Sequence, residues 1–309
     1  MKIVKILFIT CVVLLFNCKN SKQIKTKIHK ENNTSTSEIL YYLDYELFGS
    51  YEIYLNDVKI ANNLESGPVS GMEYLNHYIL KSGTQVLRIR EFFVNVNSNI
   101  PEDLVKKVNL NIYTTDKNEE NIQKIKEFKI PLDKSPKPYY YEFEFEFEAK
   151  VPYNLEAWTT GKDLTKIDQD KLKKKVVDKF EELKTLLNKG DVSRFISENK
   201  KGYDEFFISN YFDKKKWNEY ESNINEGFID CKNNMQPIEN YKMMFGGNGK
   251  LVTLERIDKT YRGESPLMSI DRKEETIYTH YLFLYISKKS EELKPIRLIV
   301  NYDALDEYE

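Results

Sequence analysis

Cysteine and histidine are the scarcest reactive side chains of this 309-residue chain, present only as Cys11, Cys18, Cys231, His29, His77 and His280. A zinc centre needs such ligands to converge, usually from closely spaced pairs. The three histidines sit in three different regions, and no such spacing occurs. Cys231 has the thiol of a nucleophile but no histidine near it in sequence, and a lone cysteine also packs as a small hydrophobe. His280 is the weak catalytic candidate, the single histidine of the C-terminal half. Glu142, Glu144, Glu146 and Glu148 invite a calcium reading, yet alternate strand residues stand about 6.6–7 Å apart while calcium takes oxygens converging at about 2.3–2.6 Å. They read instead as a solvated face balanced by Lys124, Lys126 or Lys129 on a neighbouring strand, or as an acidic docking patch for a basic partner. The run Gly246-Gly247-Asn248-Gly249-Lys250 begins like a phosphate loop. Leu251 stands where a magnesium-binding hydroxyl is required, so Asn248-Gly249 reads as a hairpin turn. No glycine-rich dinucleotide loop and no Gly-x-Ser-x-Gly elbow is present, and no cofactor is called for.

The elements that would position these groups begin with a leader. Lys2 and Lys5 precede an apolar run over 6–16 that is shorter than the roughly 20 residues of a spanning helix. Leu15-Phe16-Asn17-Cys18 closes it, and the whole resembles a bacterial lipoprotein signal. Leu15 matches the usual position, while Phe16 and Asn17 stand where small residues are usual. The resemblance implies removal of 1–17 and a diacylglycerol thioether plus an amide-linked acyl chain, palmitate or similar, on Cys18. Two or more acyl chains anchor stably where one binds marginally. It further implies a place in the bacterial cell envelope, lipid-anchored at the outer membrane and facing periplasm or surface, since Lys19 is not the acid that often marks inner-membrane retention.

Residues 18–37 then form the lipidated cysteine and a polar tether, with Ile24 and Ile28 its only sizeable apolar side chains after Cys18. Such a segment is expected to stay disordered and to span on the order of 25 Å. Formal net charge is −2, and loss of Lys2 and Lys5 takes it to −4. That balance offers nucleic acid no electrostatic attraction. A chain that is 40% hydrophobic and 13% aromatic can bury one or two cores.

Residues 38–155 read as strands. Over 139–151, Tyr141, Phe143, Phe145, Phe147, Ala149 and Val151 alternate with the glutamates, which demands one packed and one wet face. Further strands are expected at 39–47, 51–55, 58–61, 86–96, 107–114 and 122–130, with a turn at Asn56-Asp57. Short strands of this kind predict an antiparallel β-sandwich domain. The segment 75–89 is similar to one found in many accessory jelly-roll and sandwich domains.

Residues 162–309 change period. Leu172, Val176, Val177, Phe180, Leu183, Leu186 and Leu187 follow helical spacing, with Asp168 or Asp170 as cap and Gly190 as stop. Helices are also expected over 192–209 and 214–228, then strands over 238–245, 251–257, 276–286 and 296–302, giving an α+β domain and an α+β chain overall. A long helix, the Asn188-Lys189-Gly190-Asp191 turn, a helix at Phe195 and a closing antiparallel sheet resemble the NTF2-like, or cone-shaped α+β, superfamily. The resemblance implies a possible pocket between helices and sheet but no particular reaction. Arg256, Arg297 and Tyr241 are candidates to line it beside His280.

Three functions stay open. The first is a noncatalytic envelope lipoprotein that reaches the membrane through its anchor and binds a protein or envelope ligand. The second is an envelope immunity or inhibitor lipoprotein against a secreted toxin. The third is a cone-fold enzyme acting on a small hydrophobic compound.

Overall fold

The computed structural model of the chain describes residues 38–64, 67–92, 107–130 and 140–305, without the side chains of 224–227. The leader, Cys18 and the tether expected at 1–37 lie outside them. Described residues form a mixed α+β fold with three antiparallel sheets and four helices. Strand outweighs helix.

Eight strands come first: β1 Ile39–Phe48, β2 Ser50–Leu55, β3 Val58–Asn63, β4 Pro68–Tyr74, β5 Gly83–Phe92, β6 Asn109–Asp116, β7 Gln123–Phe128 and β8 Tyr140–Ala149. They make two four-stranded sheets, ordered β4-β1-β6-β7 and β3-β2-β5-β8. The β2–β3 turn has Asn56 and Asp57 both left-handed, at φ 51° and 63°, the backbone that a tight hairpin requires and that these two side chains tolerate. In β8, Tyr141, Phe143, Phe147 and Ala149 are buried while Glu144, Glu146 and Glu148 face solvent, as the alternation predicts. β4 was not legible. It is an edge strand, and Gly71 there lies under the ring of Tyr45, whose Oη would be 2.3 Å from any Cβ at that position.

The second half opens with α1 Gln169–Lys189, capped by Asp168, whose side chain accepts from the Lys171 N–H, and ended by left-handed Gly190. The single helix expected over 192–209 is two, α2 Val192–Glu198 and α3 Lys200–Ser209. Asn199 breaks them apart by turning its side-chain amide back onto the Phe195 carbonyl. α4 spans Lys214–Ile229. A five-stranded sheet follows: β9 Tyr241–Gly246, β10 Leu251–Arg256, β11 Met268–Asp271, β12 Thr276–Ile286 and β13 Leu293–Ala304. β12 pairs with β13 along one edge and with β11 and then β10 along the other.

The core explains why β12 reads as an almost unbroken apolar run. His280, Leu282, Leu284 and Ile286 turn toward the helices, where Leu282, Leu284 and Ile286 share a core with Phe180, Leu183 and Phe195 of α1 and α2. Tyr281, Phe283 and Tyr285 turn the other way, into a core that also holds Leu43, Tyr45, Ile53, Leu87 and Phe143 of the first two sheets. Buried on both faces, β12 is a wall common to both halves of the chain.

Phe283, 2% exposed, therefore carries weight in both halves. Phe283→Ala is expected to cost about 3–5 kcal/mol of unfolding free energy through lost transfer and a residual cavity. Denaturant titration measures it; a loss below about 1 kcal/mol would place that ring outside the shared core.

Candidate functional site

Candidate chemistry gathers first at the C-terminal end of α4. Cys231 lies in the turn that follows this helix, His280 on β12 and Ser269 on β11. The Cys231 Sγ is 3.3 Å from His280 Nε2 and 3.5 Å from Ser269 Oγ. A thiol beside an imidazole is the pairing that makes a nucleophile when the proton moves from sulfur to nitrogen. Here both side chains are fully enclosed, with the Phe195 and Phe228 rings packed around the imidazole. Desolvation pushes the thiol up to about 11 and the imidazole down to about 3. Both are neutral at pH 7. The geometry fits an S–H donated to Nε2, which leaves Nδ1 carrying its own proton with no hydrogen-bond partner among the described residues. Cys231 and His280 are both 0% exposed, so the pair lies inside the core beneath the helices.

The glycine-rich turn between β9 and β10 does meet an anion, one supplied by the chain itself. Gly247, Asn248 and Gly249 are all left-handed, which turns successive N–H groups to one side. The Gly247 N–H donates to the Asp57 carbonyl at 2.9 Å and the Asn248 N–H to Asp57 Oδ2 at 2.8 Å. The other Asp57 oxygen pairs with Arg88 at 2.6 Å. These two amides are therefore spent on joining the β2–β3 turn to the second half. Gly246 permits the approach, since a Cβ there would lie 2.9 Å from the Asp57 carbonyl.

Two further polar contacts cross the same seam. Lys59 of β3 sits 2.5 Å from Glu255 of β10 and over the Tyr281 ring, while Tyr281 Oη also donates to that carboxylate. Nearby, the Glu264 carboxyl is raised to about 7, chiefly by desolvation and then by the charge of Asp303. On β13, Arg297 pairs with Glu205 of α3 at 2.8 Å, donates to the His77 carbonyl at 2.9 Å and lies over the Trp158 ring. The other Glu205 oxygen accepts from the Ala157 N–H at 2.8 Å. Of the three residues proposed to surround a pocket with His280, Arg297 borders the small cavity described below, which does not include His280. Arg256 is tied to Asp258 at 2.6 Å, and Tyr241 lies under Lys173. His77, lowered to about 3 by burial and then by the Arg297 charge, holds Asn210 at 3.0 Å. His29 and Cys18 are outside the described residues.

Glu142 to Glu148 need a correction. β7, which carries Lys124 and Lys126, belongs to the other four-stranded sheet, and β8 pairs with β5. Register puts Arg90 opposite Glu142, with an ion pair at 2.6 Å, and Thr84 opposite Glu148, with a hydrogen bond at 2.6 Å. Lys124 pairs with Glu127 of its own strand instead. Because β8 is an edge, its outward carboxylates also discourage pairing with another chain.

Two hollows stand out. One is an open groove of about 360 Å³ at the ends of β1 and β4, between Glu46, Phe48, Pro68 and Lys107. The other is a small cavity of about 30 Å³ between α3 and β13. Among the described residues no cluster of three or more His, Cys, Asp or Glu is placed to hold a metal ion, and no helix is long and apolar enough to cross a membrane. No known protein family, curated protein or solved structure matches this chain.

Two measurements test the enclosed pair. Peptide mapping after iodoacetamide treatment at pH 8 should find Cys231 unmodified in the native protein and modified in denaturant; native labelling would contradict the enclosure. For His280, the folded state refuses a proton that the unfolded state accepts below about 6.5. Its contribution to stability is thus present above that pH and declines as pH falls toward 3. Glu73, Glu91 and Glu264, each raised to about 7, act in the opposite sense, so the reading must be differential. Relative to His280→Asn, the wild type should lose about 2 kcal/mol between pH 7.5 and pH 5. A difference independent of pH would mean an imidazole that titrates normally.

Proposed function

We propose that this protein is a noncatalytic cell-envelope lipoprotein, tethered through Cys18 to the outer membrane, that binds a protein or envelope ligand. The observation that carries this reading is the leader itself: Lys2 and Lys5, an apolar run too short to span, and a cysteine three residues after Leu15. The folded part supports it. Its thiol–imidazole pair is enclosed and neutral, its glycine-rich turn is occupied by Asp57, and its central charges are paired internally. What remains available to a partner is surface. In this reading the two four-stranded sheets, which share one core, face each other as a β-sandwich, and α1 to α4 with the five-stranded sheet form a closed cone whose interior is filled by side chains.

A second reading is an immunity or inhibitor lipoprotein that caps a basic secreted toxin. The observation favouring it is the outer edge of β8, where Glu144 and Glu146 are exposed and have no ion pair among the described residues. A carboxylate-lined strand edge complements a lysine- or arginine-rich surface.

Labelled palmitate decides the anchor. The wild type should incorporate it and partition with membranes, whereas Cys18→Ser should remain unlabelled and either appear in the soluble periplasm or retain its leader. Wild type without label, with the same mass and fractionation as Cys18→Ser, would overturn the lipoprotein reading.

A further inference from the structure

The small cavity between α3 and β13 owes its position to a close backbone approach. Gly202 presses α3 onto β13 so tightly that a Cβ there would lie 2.8 Å from the Ile296 carbonyl oxygen. Asn199 and Tyr203, one turn apart at the start of α3, and Arg297 on β13 border the space beside this contact, with Tyr78, Phe206 and Tyr220 among its other walls. Each of the three polar residues has an atom left over. Arg297 spends Nε on the His77 carbonyl and Nη1 on Glu205 and the Ile296 carbonyl, and its Nη2 has no hydrogen-bond partner among the described residues. Asn199 donates its amide to the Phe195 carbonyl, and its Oδ1 has none; the Tyr203 hydroxyl has none either. Eight buried side-chain polar atoms make no hydrogen bond among the described residues, one of them the ion-paired Lys59 Nζ, and three belong to residues of this one cavity. Buried polar groups are rarely left so, because each costs its full desolvation.

We propose that this cavity is a built site for two water molecules that bridge Arg297, Tyr203 and Asn199. Charge and size select that occupant. Nη2 only donates, Oδ1 only accepts and the hydroxyl does both, a set that water completes with its two donors and two acceptors. An anion is disfavoured because Glu205 already neutralises Arg297 and the Asn199 oxygen would repel it. The volume of about 30 Å³ holds roughly two waters, each needing about 10–15 Å³. An organic ligand does not fit. Such waters hold the break between α2 and α3 to β13 and, through Arg297, to the His77 backbone of the first half.

Crystallography of the protein as isolated, at a resolution that shows ordered solvent, should find two peaks in the cavity within about 3.2 Å of Arg297 Nη2, Tyr203 Oη or Asn199 Oδ1. Tyr203→Phe keeps the ring and the fold. It should remove or displace one peak and lower the folding equilibrium constant roughly fivefold, the usual worth of one hydrogen bond. An empty cavity would overturn the proposal. So would a Tyr203→Phe variant as stable as the wild type or more stable, since deleting a hydroxyl that bonds to nothing costs nothing.

Discussion

Burial of β12 on both of its faces is the constraint from which the rest of the architecture follows. A strand with one wet face alternates; a strand with two packed faces must be apolar nearly throughout. Tyr281, Phe283 and Tyr285 fill the core of the N-terminal sheets while Leu282, Leu284 and Ile286 fill the core under the helices. The N-terminal sheets cannot withdraw without exposing Tyr281, Phe283 and Tyr285, three large side chains of the second half's wall. At about 1.5–3 kcal/mol for each such side chain, separation would cost a large share of a typical domain's stability.

That constraint decides the fate of the polar groups nearby. Charges brought to a desolvated seam must be paired within it, since an isolated buried charge is far costlier than a paired one. Lys59 finds Glu255, Arg297 finds Glu205, and Asp57 finds the backbone of the Gly247 turn together with Arg88. The side chains most suggestive of chemistry are thereby used to join the two halves. Cys231 and His280 illustrate the same effect on the helical side, where desolvation by burial favours the neutral form of both.

Local pattern carried much of this into the sequence. The glutamate–aromatic alternation of β8, the Leu172 to Leu187 helix with its Gly190 stop, and the Asn56-Asp57 turn are all determined by neighbours within a few residues, and each is found as read; of the two cap candidates, Asp168 is the cap. What failed to show is nonlocal or short. β4 and β11 lack a periodic run long enough to register, and their strand geometry comes from the partners they lie against. The partner of Glu142 is Arg90 rather than a lysine of β7 because strand order is set by the shared core and not by sequence proximity. Cys231 and His280 stand 49 positions apart, so nothing in the chain near either one announces the other. A small signal for the seam was present: the apolar run 281–286, with no polar residue at alternate positions, departs from the alternation of a one-sided strand. Taking that as burial on both faces would have located the wall between the halves.

Native-state hydrogen exchange tests this shared wall most directly. If β12 serves both cores, the amides of Tyr281 and Phe283 should exchange only through global opening, and the slowest amides of β2 and β5 should open with the same free energy as those of β12 and α1. Two separate plateaus, with one half opening at distinctly lower free energy while β12 stays protected with the other, would show that the halves are independent and that their contact is only a surface.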